Sequence, residues 1–362
     1  MTDQTVPDEF ATVRVIGGVD THKDVHVAAV LDELGRLLDR ASFAATPAGY
    51  RRLSSWLCGH GEVLAVGVEG TGSWGAGLSR HLRARGVNVI EVNRTNRQTR
   101  RRKGKTDTVD AEAAARTVLA GDATVIPKSG DGPIESVRQL RVARHGAMKA
   151  RTAAANQMHS LTDTAPDELR TKLRGLTTLQ RARTCARLRV GDALTPTGAA
   201  KIALRAVASR WLSLHDEIVE LSRAIKHVLD TIAAPMLARH GVGYETTGAL
   251  LCAAGDNPER LNTEGSYAAL CGSSPVEISS GQTKRHRLNR AGDRHANAAL
   301  WTIVMVRIRS KHAPTITYIE RRTAEGLSKR EAIRCLKRYV AREIYNDIRA
   351  ITTTINESQI AA

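Results

Sequence analysis

Short apolar runs fill the first part of the chain and helical spacings replace them after Pro133, so the pattern predicts a sheet-building part followed by a helix-building part. Residues 13–20, 25–31 and 36–43 are β-compatible runs joined by short polar links, which predicts a three-stranded meander. After Pro47, the residues Tyr50, Leu53, Trp56 and Leu57 share one helical face. Residues 63–69 then read as a strand, 74–85 as a helix, 87–92 as a strand, and a helix-forming run extends from Asp107 to Leu119. From residue 133 to about 232 strands vanish, and long helices are interrupted near Pro166 and Pro196. The last of these helices carries Leu204, Val207, Trp211, Leu214, Ile218, Leu221, Ile225, Val228 and Ile232 at alternating spacings of three and four, a coiled-coil seam. That seam packs either on the earlier helix at 137–161 of the same chain or on a second copy.

The order strand, strand, strand, helix, strand, helix, strand, helix is that of the ribonuclease H-like (RuvC-like) fold. In that topology the ends of the first and fourth strands are neighbours, and here they carry Asp20 and Glu69. Asp107 and Asp110, three apart in the first turn of the following helix with Thr106 or Asp107 as N-cap, lie on one side of it. Singly, each has a plain structural role: a helix-dipole acid in the first turn, a turn beginning at Asp20-Thr21, a loop opening at Gly70-Thr-Gly72. Together, four carboxylates at one place repel strongly and need a divalent cation or raised pKa values. Ligation by oxygen alone favours Mg²⁺ or Mn²⁺, and two ions about 4 Å apart stabilise an in-line attack on phosphorus.

Charge adds the partner. Lys and Arg number 54 against 37 Asp and Glu, giving a net charge of +17 that points to a polyanion, nucleic acid first. Seven cations, Arg94, Arg97, Arg100, Arg101, Arg102, Lys103 and Lys105, run straight into the Asp107–Asp110 pair, as phosphodiester cleavage requires. No apolar stretch approaches the roughly 20 residues of a membrane span and the first residues lack signal-peptide features, so the expected location is cytoplasmic, on the nucleoid. Five cysteines without any Cys-x-x-Cys spacing suggest neither a disulfide framework nor a zinc site. Aromatic residues are only 3% of the chain, which favours binding through charge and backbone over base stacking.

Beyond Pro235, His240-Gly-Val-Gly243 followed by a helical run resembles a helix-hairpin-helix, whose backbone N–H groups, here of Gly241 and Gly243, meet a DNA phosphate. Ser273-Ser-Pro275, Ser279-Ser-Gly281, the basic segment Lys284, Arg285 and Arg287, and a helix beginning near Asp293 follow. Taken alone, Ser280 reads as a turn serine, with no Asp-His pair nearby to activate it.

The phrases Gly18-Val-Asp20-Thr-His-Lys-Asp24, Val68-Glu69-Gly70-Thr-Gly72 and Lys105-Thr-Asp107-Thr-Val-Asp110-Ala resemble the DEDD transposases of the insertion sequence one-ten family. The C-terminal series resembles the transposase domain of the same family, whose nucleophilic serine falls on Ser280. Two departures stand out: Ser273-Ser274 occupies a place that is usually apolar first, and Ser279 offers a second hydroxyl. The resemblance covers residues 13–345 and implies an α/β plus α protein. Its parts are a RuvC-like nuclease domain at 11–128, a helical coiled-coil spacer at 133–234, and a mostly helical transposase domain at 235–352. It further implies a Mg²⁺-binding tetrad of Asp20, Glu69, Asp107 and Asp110, donor and target DNA, a structured guide RNA encoded by the element, and a homodimer or higher oligomer. Ser280 would attack the phosphodiester and leave DNA joined to protein. The competing readings are a RuvC-like junction endonuclease that uses metal-activated water and a non-catalytic nucleic-acid-binding relative.

Overall fold

A computed structural model describes residues 13–93, 106–282, 286–287 and 289–360, and they divide into two compact units. The first comprises residues up to Asp131 together with Ala254–Asn262; the second comprises Gly132–Ala253 and the chain from Thr263 onward.

In the first unit β1 (Arg14–Thr21), β2 (Val25–Asp32) and β3 (Leu37–Ala44) form an antiparallel meander. β4 (Glu62–Glu69) runs parallel to β1 and β5 (Val89–Val92) parallel to β4, so the sheet order is β3-β2-β1-β4-β5. This mixed sheet is consistent with the RuvC-like expectation. β1 and β2 are buried along almost their whole length because both faces of the sheet are covered, whereas β3 at the edge is mostly exposed. One face sets Val15, Val19, Val30, Val66 and Val68 against Leu53 and Leu57 of α1 (Pro47–Gly59) and Leu78 and Leu82 of α2 (Ala76–Arg83). Helix α1 starts where the sequence predicts: Pro47 opens the first turn and the Thr46 hydroxyl accepts from the Gly49 N–H. Among the described residues the other face receives one helix, α3 (Asp107–Leu119), through Ala111 and Ala115.

Glycines decide how near that helix comes. A Cβ on Gly18 would land inside the Ala111 carbonyl oxygen and the Ala115 nitrogen, and one on Gly67 would lie 2.8 Å from Val118 and 2.9 Å from the Ala114 oxygen. Helix α3 therefore rests directly on the backbones of the two central strands, with its first turn over their C-terminal ends.

The second unit is helical. α4 (Pro133–Asp163) and α7 (Pro196–Ile232) lie antiparallel along one another, since Arg144 Nε donates to Ser222 Oγ at 2.7 Å while Arg151, seven residues on, reaches back to His215 at 3.1 Å. The seam residues Leu204, Trp211, Ile218 and Ile225 are buried in this pairing within one chain, joined by Ala208 and Leu229; Leu214, Leu221, Val228 and Ile232 are half-buried. α5 (Asp167–Leu173) and α6 (Thr178–Ala186) close over the far end of the pair, where Met158, Leu169, Leu173, Ala182 and Leu204 share a core. α8 (Ala234–Leu237), α9 (Tyr244–Ala254), α10 (Glu264–Leu270), the two-stranded β6–β7 (Val276–Glu277 and His286–Arg287), α11 (Arg294–Arg309), α12 (Ala313–Ala324) and α13 (Lys329–Ile360) follow. No helix among the described residues is long and apolar enough to cross a membrane.

Candidate metal centre and serine loop

Side chains alternate along β1, so with Val19 in the α1–α2 core Asp20 must point to the face under α3. Val19 pairs with Val68 in the parallel ladder; Asp20 and Glu69 come next on the two adjoining strands and on that same face. The Thr21 hydroxyl donates to the Glu69 carbonyl at 2.7 Å, which ties the two strand ends together. Thr106, in extended backbone, holds the N-cap position of α3, and Asp107 and Asp110 occupy its first turn, where the partial positive charge of the helix end favours them.

The pieces meet around Asp20. His22 Nε2 lies 3.2 Å from Asp20 Oδ2 and 3.4 Å from Asp107 Oδ1, and one donor atom from each of the three residues falls within 4.8 Å of the others. Asp20 is 7% exposed and Asp110 4%, while Asp107 and His22 face solvent. Burial raises the Asp20 pKa; His22 opposes that rise, and the negative charges of Asp110 and Asp107 add to it, leaving the carboxyl above its ordinary value. A carboxylate held against like charge is stabilised by a cation, and the facing oxygens and imidazole nitrogen are donors that a divalent ion takes. The residues present thus fit a metal. His22 went unread in the sequence, although a side chain two positions from Asp20 at a strand end belongs to the same face; its nitrogen means that the donors here are not oxygen alone.

In the second unit the serine loop follows β6. Ser279 Oγ donates to Glu277 Oε1 at 2.6 Å, whereas Ser280 is exposed and makes no side-chain hydrogen bond among the described residues. Gly281 beside it has φ 57°, a left-handed conformation that glycine adopts without strain, and turns the chain.

Two family models match the chain. A transposase model of the DEDD IS110 type covers residues 17–166, and that of the transposase IS116/IS110/IS902 family covers residues 236–320, together more than half of the protein. The chain belongs to the IS110 family of transposases. It is therefore an enzyme acting on DNA, and the DEDD domain implies dependence on a divalent metal. Among curated proteins none matches it.

The remaining residues singled out in this transposase fare differently. Arg94, Arg97, Arg100, Arg101, Arg102, Lys103, Lys105, Lys284 and Arg285 lie outside the described residues. Gly241, at φ 79°, packs closely on α11, and the Gly243 N–H donates to the Thr246 hydroxyl at 3.0 Å, so that donor is engaged in its own turn. Arg287 is exposed and lines a cavity of about 530 Å³ beside Ser273 and Ser274. Arg321, Arg334, Arg338 and Arg342 line the same cavity. Three of these recur at four-residue spacing on α13, a helical stripe that the sequence displays and that went unread.

Proposed function

We propose that this transposase cuts and rejoins DNA strands with Mg²⁺ (or Mn²⁺), two ions in all, held by Asp20, Glu69, Asp107 and Asp110, and with Ser280 as the nucleophile. The cluster of Asp20, His22 and Asp107, with Asp20 held above its ordinary pKa, carries the reading. A bound divalent ion supplies polarisation of the phosphodiester and offsets the negative charge that builds on its oxygens. His22 bridges Asp20 and Asp107 and keeps both carboxylates turned to one point. At the serine, the Oγ–P bond forms as a P–O bond of the strand breaks; the departing oxygen leaves as a hydroxyl and the serine proton is lost. Attack by an incoming hydroxyl reverses the exchange, so the phosphoryl bond is conserved and the strand is rejoined. The engagement of Ser279 by Glu277 supports Ser280 as the reacting hydroxyl.

The family resemblance extends the reading. The RuvC-like part at 11–128 cleaves, the coiled-coil part at 133–234 spaces, and the part at 235–352 carries the serine and a helix-hairpin-helix-like turn. A structured RNA of the element pairs with donor and target DNA, and the protein works on the nucleoid as a homodimer or higher oligomer. Phosphate contacts fall to the basic run at 94–105, to Gly241 and Gly243, and to Lys284, Arg285 and Arg287.

The test is a nicked DNA substrate that traps the intermediate. Peptide mapping should place the phosphate on the peptide spanning residues 277–284, Ser280→Ala should abolish the adduct and Ser279→Ala should retain it. Removing one exposed hydroxyl changes stability by about 0.5 kcal/mol at most, so a lost reaction is not unfolding. Cleaved ends without attached peptide, or normal recombination by Ser280→Ala, would replace this reading by a RuvC-like nuclease that uses water.

A further inference from the structure

A second charged feature lies in the stretch that neither family model reaches, between residues 166 and 236. Helices α5 and α6 and the first turns of α7 enclose a cavity of about 600 Å³ whose walls carry Lys172, Arg183, Arg187, Arg189 and Lys201. Glu168 is the one carboxylate on those walls. Among the described residues none of the five cationic side chains has a hydrogen-bond or ion-pair partner.

The cavity is held in shape from behind. A capping box fixes the start of α6, with Thr177 N donating to Gln180 Oε1 at 3.0 Å, and the buried Arg181 guanidinium donates to the carbonyls of Leu173 and Leu176 at 3.3 Å and 3.2 Å. Arg181 thereby locks α6 onto the end of α5, and Arg183 and Arg187, one turn apart, are left on the exposed face. Five cations gathered around one hollow with a single counter-charge repel one another, and the arrangement is relieved by an anion entering it.

We propose that this cavity is a second nucleic-acid site, which takes the phosphodiester backbone of an unpaired strand. A duplex is a convex rod that meets a face or a ridge, whereas a strand freed from pairing can pass its phosphates into a hollow. No aromatic side chain lines the cavity, so bases are not stacked there and the contact is independent of sequence. The site stands apart from the serine chemistry and remains whether or not Ser280 is the nucleophile.

The test uses the full chain and fluorescent oligonucleotides of one sequence as single-stranded DNA, single-stranded RNA and duplex DNA, titrated across a salt series. Arg183→Gln/Arg187→Gln removes two cavity charges; Arg223→Gln/Lys226→Gln removes two exposed charges of α7 away from the cavity. The cavity variant should bind single strands at least about tenfold more weakly near 0.1 M salt. Its log–log salt slope should be shallower by about 1.4, at about 0.7 per phosphate contact on a single strand. Duplex affinity should hold, and the control variant should match the parent. Photocrosslinked single strand should map to residues 168–201. A loss confined to RNA or to DNA supports the site and names the strand it holds. Unchanged single-strand affinity, an equal loss in the control, an equal loss for duplex, or displacement of the strand by an acidic peptide but not by inorganic phosphate would overturn the proposal.

Discussion

Asp20 has been read as a metal ligand, but without a metal it is a liability. Its folded pKa lies above the ordinary carboxylate value, chiefly through burial and then through Asp110 and Asp107. A raised acid contributes stability at low pH that is lost as pH rises through the folded pKa, so at neutral pH the charged side chain opposes folding. Asp20→Asn should therefore melt at the same or a higher temperature than the parent in metal-free buffer and should cut no DNA with any divalent ion. Cleavage at the parent rate would remove Asp20 from the chemistry. The strand-end places of Asp20 and Glu69 and the first-turn places of Asp107 and Asp110 were legible, because periodicity alone locates such positions. His22 shares the face of Asp20 by the same period of two and was open to the same reading. Ser280 was not legible from physics: nothing in a Ser-rich turn marks one hydroxyl, and only the resemblance singled it out.

At the scale of elements, the closeness of α3 to the sheet is what sets its two aspartates over the strand ends. Gly18→Ala should force that helix outward, costing about 1–3 kcal/mol and the cleavage activity together. Gly59→Ala, where nothing lies within 4 Å of the added carbon, should leave both intact. The strands and helices themselves followed from the apolar pattern, yet Gly18 and Gly67 were read merely as members of strands, because a pattern of apolar positions does not register where a side chain must be missing. The seam of α7 was legible as a seam but not as to its partner. Since Ile218 and Ile225 are buried on α4, replacing both with Asp should reduce helical signal and lower the melting temperature, through charge buried without a partner. Retained helicity with loss of an oligomer would assign the seam to an interface between copies. An ion pair ties α13 to α11: Arg307 donates through Nη1 and Nη2 to the two Glu343 oxygens at 2.9 Å and 3.0 Å. Arg239 adds a bond to Glu343 at 3.2 Å. Burial raises the Glu343 pKa, but the two guanidinium groups outweigh it and the net shift is downward. A depressed acid contributes stability above its ordinary value that is lost as pH falls through the folded one. Acid melting of the second unit should therefore steepen below about pH 4, and Glu343→Gln should flatten that limb while costing about 2 kcal/mol at neutral pH.

Over the whole molecule, the least legible feature is the return of residues 254–262 to the first unit after the chain has built much of the second. That segment has no periodicity. Among its ties, Asn257 Oδ1 accepts from the Ser129 N–H at 3.0 Å and its Nδ2 donates to the Pro127 carbonyl at 3.2 Å, while Glu259 pairs with Arg83 at 2.9 Å. Asn257→Ala should lower the stability of the first unit by about 1–3 kcal/mol, since it strands buried backbone groups, and should leave the Glu343-linked acid limb of the second unit in place. Synthesis gives the same connection another meaning. A chain emerging from the ribosome has every strand of the sheet and all four carboxylates by residue 131, but the segment that completes this unit arrives only with residue 262, on the order of ten seconds later. The first unit is thus completed late, and a chain cut short before residue 254 has the whole sheet but lacks the segment that Asn257 ties to Ser129 and Pro127.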